Sequence, residues 1–215
     1  MWQAQLFTLY PEVFPGPLSK GLYGKALSKE LWNLKIVNIR DAAEDKHKTV
    51  DDTPYGGGSG MLLKADVLAK SLDQNKTEGE RIIYLSPKGK KFDQHYAQDL
   101  SKEKSVSFIC GHFEGVDERV LTTRNIEEVS IGDYILSGGE TAAFVVIDSI
   151  LRLLPGVLGN ENSKVDESFE NDLLEYPQYT KPQIWEEKGV PEVLLSGDHS
   201  KIKDWRLSQS EAITR

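Results

Sequence analysis

Three glycine-marked loops carry the residues best suited to bind a small molecule. They are Leu85 to Gly89, Cys110 to Gly115 and Ser130 to Glu140, and each lies just beyond a predicted strand. In open α/β sheets, ligands bind at the loops that follow the carboxyl ends of parallel strands. A single loop of this kind is most simply a tight turn that glycine permits. Three of them, with a helix opened by Gly138-Gly139-Glu140, predict one shared pocket.

Several common cofactor and catalytic motifs are absent from the sequence. The first strand ends in Leu9-Tyr10-Pro11-Glu12, which lacks the Gly-x-Gly turn of doubly wound dehydrogenases and methyltransferases. The interval from Gly16 to Gly21 has the spacing of a phosphate-binding loop, but Leu22 stands where that loop needs lysine. The Gly56 to Met61 segment lacks the second glycine of a nucleophile elbow. One cysteine and four separated histidines form no local zinc-ligand set, so we predict no metal-binding residues.

Short apolar runs alternate with helical patterns along most of the chain. Strands are predicted at Met1 to Leu9, Leu34 to Ile39, Arg81 to Leu85 and Ser105 to Cys110. Helices are predicted near Leu18 to Leu27, Lys64 to Leu72, Phe92 to Leu100, Gly139 to Leu154 and Ser200 to Ile213. This alternation predicts an α/β fold with a mostly parallel sheet that helices cover on both faces.

Composition indicates a globular protein with enough apolar residues for a core. The 215 residues are 39% hydrophobic and 28% charged. No apolar run approaches the ~18 residues that a membrane-spanning helix needs. The start, Met1 to Leu6, lacks the basic and apolar regions of a secretory leader, and the single Cys110 cannot form an internal disulfide. We therefore expect a cytoplasmic protein with no membrane partner.

The net charge of -8 disfavours a nonspecific nucleic-acid binder, whose affinity comes from neutralising phosphates. The charge is unevenly distributed, because residues 109–187 hold five basic and sixteen acidic side chains. Residues 17–48 carry an excess of basic side chains instead. Contact with a nucleic acid would therefore depend on local basic patches.

A set of motifs follows a specific order between Trp2 and about Leu207. Its members are Lys46 to Asp52 with Pro54 to Gly58, Tyr84 to Pro87, Cys110-Gly111, Glu114 to Arg119, Ser130 to Tyr134, Gly138 to Glu140 and Leu154 to Gly159. Together they resemble the bacterial tRNA (guanine-N1-)-methyltransferase family, TrmD, of the knotted SPOUT class. The resemblance implies a deep trefoil knot in the C-terminal part of the sheet and a homodimer with its active site at the subunit interface. It also implies methyl transfer from S-adenosylmethionine to N1 of the guanosine at tRNA position 37, next to the anticodon.

The resemblance places the S-adenosylmethionine site in the three glycine loops. The residues implied are Leu85, Pro87, Gly111, Glu114, Ile131, Gly132, Asp133, Tyr134, Ile135, Leu136 and Gly138. Backbone groups in such loops can hydrogen-bond the edges of adenine, and apolar side chains can enclose its ring. Acidic surroundings favour the sulfonium cation. Mg²⁺ is left open, and no residue is assigned to it.

Methylation of N1 requires removal of a weakly acidic proton, and negative charge then spreads toward O6. A carboxylate can act as the general base and a cation can stabilise O6. The family's acidic residue before a Ser-Phe pair corresponds here to Glu167, with Asp166 directly before it as the second candidate. Arg152 matches the family's functional arginine. The alternative for Arg152 is an ion pair with Asp148, one helical turn earlier.

The chain departs from the family pattern at several places. His112-Phe113 stands where Arg-Tyr is common, and Asp198 replaces a frequent Asn. The chain stops at Arg215, short of the usual C-terminal helices. The predicted parts are a knotted catalytic domain at 1–159, an acidic linker at 160–172 and a short helical C-terminal domain at 173–215.

Two other functions remain open at this point. Another SPOUT enzyme could methylate a ribose 2′-hydroxyl, which would not need a carboxylate at position 166 or 167. A noncatalytic RNA-binding protein could retain the pocket only as structure, although the intact loop from Ser130 to Glu140 argues against it.

Overall fold

The computed structural model describes residues 1–75, 80–158 and 173–215. The chain divides into two compact units, unit 1 at Met1–Gly159 and unit 2 at Asn160–Arg215. The acidic linker predicted at 160–172 lies outside the described residues. Unit 1 contains the three glycine loops.

The predicted strands and helices are present in the predicted order, and further short elements lie between them. The strands are β1 (Trp2–Thr8), β2 (Trp32–Asn38), β3 (Asp51–Asp52), β4 (Leu62–Leu63), β5 (Arg81–Lys91), β6 (Ser105–Ile109), β7 (Glu127–Ser130), β8 (Ile184–Trp185) and β9 (Lys188–Gly189). The α-helices are α1 (Gly21–Ser28), α2 (Ala65–Asn75), α3 (Gln94–Ser101), α4 (Glu118–Thr123), α5 (Gly139–Leu151), α6 (Glu192–Leu195) and α7 (His199–Thr214). The segment predicted as a helix from Leu18 to Leu27 is divided between a 3-10 turn at Gly16–Ser19 and α1.

Unit 1 is built on a five-stranded sheet in the order β2-β1-β6-β5-β7. Its pairings are all parallel, and Leu6 of β1 lies opposite Ile36 of β2 and Phe108 of β6. The predicted α/β fold with a mostly parallel sheet is confirmed. Because the strands are parallel, the loops after β6 and β7 leave the same edge of the sheet.

The sheet has a hydrophobic core on each face. Along β1, Ala4 and Leu6 pack into one core, and Phe7 packs into the other. This alternation follows from the two-residue period of a strand. Residues of α3 and α5 complete the first core, and residues of α2 and α4 complete the second. The prediction that helices cover both faces is therefore confirmed.

β5 is longer than the strand predicted at Arg81 to Leu85. Its pairing with β7 shifts register between Leu85 and Lys90 and then resumes. The first glycine loop is therefore a bulge within β5, not a loop beyond its end. Pro87 has no N–H to donate to the ladder, which favours such an irregularity. At Gly89 the β7 backbone is so close that a Cβ atom would lie 2.2 Å from the Val129 nitrogen.

Unit 2 contains α6, α7 and the antiparallel pair of β8 and β9. α7 begins after Asp198, whose side chain accepts hydrogen bonds from the backbone N–H groups of Ser200 and Lys201. These bonds satisfy two of the amide groups that have no partner within the first turn. The helix agrees with the one predicted at Ser200 to Ile213.

Candidate functional site

The three glycine loops line one cavity of about 200 Å³. The lining residues are Tyr84, Leu85, Ser86, Pro87, Gly111, His112, Phe113, Glu114, Gly115, Val129, Ser130, Ile131, Gly132, Tyr134, Ile135, Leu136, Ser137, Gly138, Gly139 and Ala142. Every residue predicted to bind the cofactor is among them except Asp133. The structure therefore brings together side chains and backbone from three separate parts of the chain.

The loop after β6 packs closely on the ring of Tyr84. A Cβ atom on Gly111 would lie 2.6 Å from that ring, so only glycine fits without displacing it. Tyr84 is buried, and burial, together with the charge of Glu128, raises its pKa to about 12. The phenol is consequently neutral near pH 7, and it presents a ring and a hydroxyl group to the cavity.

The loop after β7 exposes several large apolar side chains. Ile135 is 81% exposed, and Tyr134 and Leu136 are also exposed. The loop is joined to the second loop where α5 begins, because the Gly139 N–H donates to the Gly111 carbonyl oxygen at 3.0 Å. A Cβ atom on Gly139 would lie 2.6 Å from the Cα of Cys110. This close backbone approach explains why glycine stands at the start of α5.

A buried polar cluster lies beside the cavity. Glu140, in the first turn of α5, accepts a hydrogen bond from the Thr8 hydroxyl at 2.5 Å. His112 Nε2 lies 2.8 Å from Oε2 of the same carboxylate and 2.9 Å from Oε1. The Tyr10 ring packs edge-on against the His112 ring, with 5.0 Å between centroids. The negative charge of Glu140 is also favoured by the N-terminal end of the helix.

Sequence reasoning missed this cluster. In the sequence, Glu140 only marks the start of a predicted helix, and His112 differs only as a departure from the family pattern. Thr8 and Glu140 are 132 positions apart. The sequence locates Thr8 near the end of a predicted strand and Glu140 at the start of a predicted helix. It does not indicate that the two side chains meet.

Cys110 is fully buried at the end of β6. Burial raises the pKa of its thiol well above the ordinary value, and the charge of Glu140 raises it further. A thiol held in its protonated form is a poor nucleophile. Cys110 therefore contributes to the core and not to the chemistry of the cavity.

Glu114 brings an exposed carboxylate to the cavity. Its backbone N–H donates to the Met61 carbonyl oxygen at 2.9 Å. A Cβ atom on Gly60 would lie 2.4 Å from the Cγ of Glu114. The glycine-rich segment from Gly56 to Met61, which showed no catalytic motif, thus supports the second loop.

The predicted catalytic residues lie away from the cavity or outside the described part of the chain. Arg152 follows α5 and is not among the described residues that line the cavity. The nearby Tyr23 hydroxyl donates to Asp148 at 2.7 Å. Burial and Asp148 raise the pKa of Tyr23, whereas Arg152 lowers it, so Arg152 lies beside this pair. Glu167 and Asp166 lie outside the described residues.

The chemistry of the cavity fits a nucleoside-type cofactor with a positive charge. Leu85, Ile131 and Leu136 provide apolar surface, and Glu114 provides a carboxylate.

The described residues contain neither a metal-ligand cluster nor a membrane-spanning helix. Among them, no group of three or more His, Cys, Asp or Glu side chains is placed to hold a metal ion. None of their helices combines the length and the apolar character needed to cross a membrane.

Comparisons with known proteins identify the family. The model of the family described as tRNA (Guanine-1)-methyltransferase TrmD matches residues 2–215. The tRNA (guanine-N(1)-)-methyltransferase of Pelagibacter ubique (strain HTCC1062) is 84% identical over 215 residues, which cover 100% of this chain and 94% of that protein. The protein of that name from Bartonella tribocorum (strain CIP 105476 / IBS 506) is 56% identical over 214 residues, which cover 100% of this chain and 92% of that protein. The one from Brucella canis (strain ATCC 23365 / NCTC 10854 / RM-666) is 54% identical over 214 residues, which cover 100% of this chain and 87% of that protein. This chain belongs to the tRNA (guanine-N1-)-methyltransferase family.

Proposed function

We propose that the chain transfers a methyl group from S-adenosylmethionine to N1 of the guanosine at tRNA position 37, next to the anticodon. The observation that carries this proposal is the family match over residues 2–215. The names of the relatives specify tRNA as the substrate and N1 of guanine as the acceptor. The cavity formed by the three glycine loops supports the same function.

The residues of the cavity suit the parts of the proposed cofactor. When bound, S-adenosylmethionine supplies an electrophilic methyl group on a sulfonium centre. Leu85, Ile131 and Leu136, which line the cavity, are proposed to enclose the adenine ring. Gly111 and Gly138 leave the backbone accessible at the cavity. The carboxylate of Glu114 is favourable near a positive charge because opposite charges attract.

The proton chemistry is assigned to two acidic residues outside the described part of the chain and to Arg152. Glu167 is proposed as the general base that takes the N1 proton, with Asp166 as the second candidate. Arg152 is proposed to stabilise the negative charge that develops at O6, since a guanidinium stays protonated throughout the working pH range. Its exposed position directly after α5 supports contact with an incoming base.

The assembly implied by the family resemblance is part of the proposal. It comprises a homodimer with the active site at the subunit interface, a trefoil knot and a location in the cytoplasm. The exposed apolar side chains of Tyr134, Ile135 and Leu136 support a partner surface beside the cavity. The packing of Gly139 on Cys110 holds α5 against the loop after β6. Mg²⁺ is not assigned to any residue.

The proposal is tested by methyl transfer to two matched tRNA transcripts. The full chain is incubated with labelled S-adenosylmethionine and a transcript that has either guanosine or adenosine at position 37. We expect label in the guanosine transcript alone, and the digested product should contain N1-methylguanosine. Absence of transfer, or equal transfer to both transcripts, would contradict the proposal. A ribose-methylated product would favour the alternative SPOUT activity.

A further inference from the structure

Unit 2 contains a second cavity, of about 440 Å³. This volume falls within the ~300–1,000 Å³ typical of small-molecule sites. The rings of Tyr176, Tyr179 and Trp205 line one part of it, and Leu194 and Ile202 line another. The cavity therefore combines aromatic and aliphatic surface within a small unit.

The aromatic residues are arranged so that ring surface is available to a ligand. Tyr179 and Trp205 have ring centroids 6.3 Å apart and planes inclined by 55°. Tyr179 is 49% exposed, so much of its ring is uncovered. Planar ligands such as nucleobases stack on rings of this kind, and every base has a face that can do so.

Arg206 adds a positive charge to the cavity. Its guanidinium carbon lies 4.7 Å from the centroid of the Tyr176 ring, which holds the group against the aromatic residues. Opposite charges attract, so the guanidinium favours a phosphate in or beside the cavity.

The charge of the cavity is opposite to that of the whole chain. Lys181 and Arg206 line it, and none of the described lining residues is acidic. The chain as a whole carries a net charge of -8. Cationic and aromatic residues without carboxylates are typical of surfaces that bind unpaired nucleotides.

We propose that this cavity binds one unpaired nucleotide of the tRNA substrate. The base stacks on the Tyr179 ring beside Trp205, and the Arg206 guanidinium provides a positive charge for the phosphate. Lys181 provides a second positive charge for the phosphate. This inference rests on the proposed function, since it takes tRNA as the ligand. It adds a separate recognition site in unit 2.

The test compares three variants of the full chain in methyl transfer at saturating S-adenosylmethionine and varied tRNA. Tyr179→Leu removes the stacking ring, and Arg206→Gln removes the positive charge. Both should raise KM for tRNA roughly fivefold or more, the effect expected for a lost base stack, and leave kcat unchanged. Tyr179→Phe keeps the ring and should stay close to the unchanged protein.

Lys203→Gln is the matched control for charge. Lys203 is exposed on α7 and is not among the described residues that line the cavity. This variant should change KM for tRNA less than twofold. Circular dichroism of each variant checks that unit 2 is folded, and tRNA binding without S-adenosylmethionine gives the same comparison independently of catalysis.

The outcomes separate this inference from the proposed function. Absence of methyl transfer by the unchanged protein would contradict the proposed function alone, because the binding comparison still tests the cavity. Equal KM and tRNA affinity in Tyr179→Leu, Arg206→Gln and Lys203→Gln would overturn the cavity proposal. Unchanged tRNA affinity with an altered oligomeric state in light scattering would also overturn it, in favour of a contact between protein chains.

Discussion

The carboxylate of Glu140 lies 2.8 Å from Nε2 of His112, and both side chains are nearly buried, with 10% and 14% of their surface exposed. This pair joins the first turn of α5 to the loop after β6. Thr8 bonds the same carboxylate from the end of β1. The start of α5, the loop after β6 and the end of β1 are thus held together at one residue.

Glu140→Ala should destabilise the protein substantially. Thr8 and His112 would lose their shared acceptor, and each buried group left unpaired costs about 1–3 kcal/mol. We expect the free energy of unfolding in urea at pH 7 to fall by about 2–4 kcal/mol. The control is Glu118→Ala, which removes an exposed glutamate from the first turn of α4 and should cost less than about 1 kcal/mol. Equal losses in the two variants would contradict the role assigned to the cluster.

Gly139→Ala should weaken both stability and cofactor binding. The added methyl group would meet the Cα of Cys110 at 2.6 Å, and backbone at this position cannot move aside easily. Overpacking of this kind typically costs about 1–3 kcal/mol. The matched control is Gly189→Ala, because a Cβ atom there has no neighbour within 4 Å among the described residues. Calorimetric binding of S-adenosylmethionine and urea unfolding measure the two effects, and a Gly139→Ala protein as stable as the control would contradict this prediction.

The contribution of Glu127 to stability should depend on pH. Arg81 holds Glu127 through hydrogen bonds at 2.8 and 2.6 Å and lowers the pKa of this carboxyl below its ordinary value of 4.5. Because the folded pKa is the lower one, the stabilisation is fully present above about pH 4.5 and is lost as pH falls through the folded value. Partial exposure of both side chains limits it to about 1 kcal/mol.

The measurement is the difference in urea midpoint between the unchanged protein and Glu127→Gln. We expect a clear difference at pH 7 and a smaller one at pH 3. A difference that stays constant between these pH values would show that the charged pair is not its cause.

Glu167→Gln should lower turnover and leave cofactor binding intact. A positioned general base typically contributes about 10²–10⁴-fold to a rate. We expect a loss of kcat within this range, with the affinity for S-adenosylmethionine unchanged in calorimetry. Asp166→Asn is the matched comparison. If Asp166→Asn lost the activity and Glu167→Gln kept it, Asp166 would be the base.

Much of the fold was predictable because its elements carry local signals. The buried runs of β1 and β6 and the helical spacing of α5 identified these elements close to their observed bounds. β7 and α4 have four and six residues, which is too few for a periodic pattern to be distinguished. The bulge in β5 was not predicted, because the residues from Lys90 onward belong to the strand only through their pairing with β7.

The cavity of the three glycine loops and the polar cluster beside it differ in what the sequence indicates locally. Glycine-rich segments after the buried runs of β5 and β6, together with the one that opens α5, were sufficient to expect one shared pocket. The contact of Thr8 with Glu140 depends on β1 lying next to β6, with α5 packed across them. No local pattern specifies which strands are neighbours. That order follows from the packing of the whole sheet, and so the pairing of these distant residues was visible only in the folded structure.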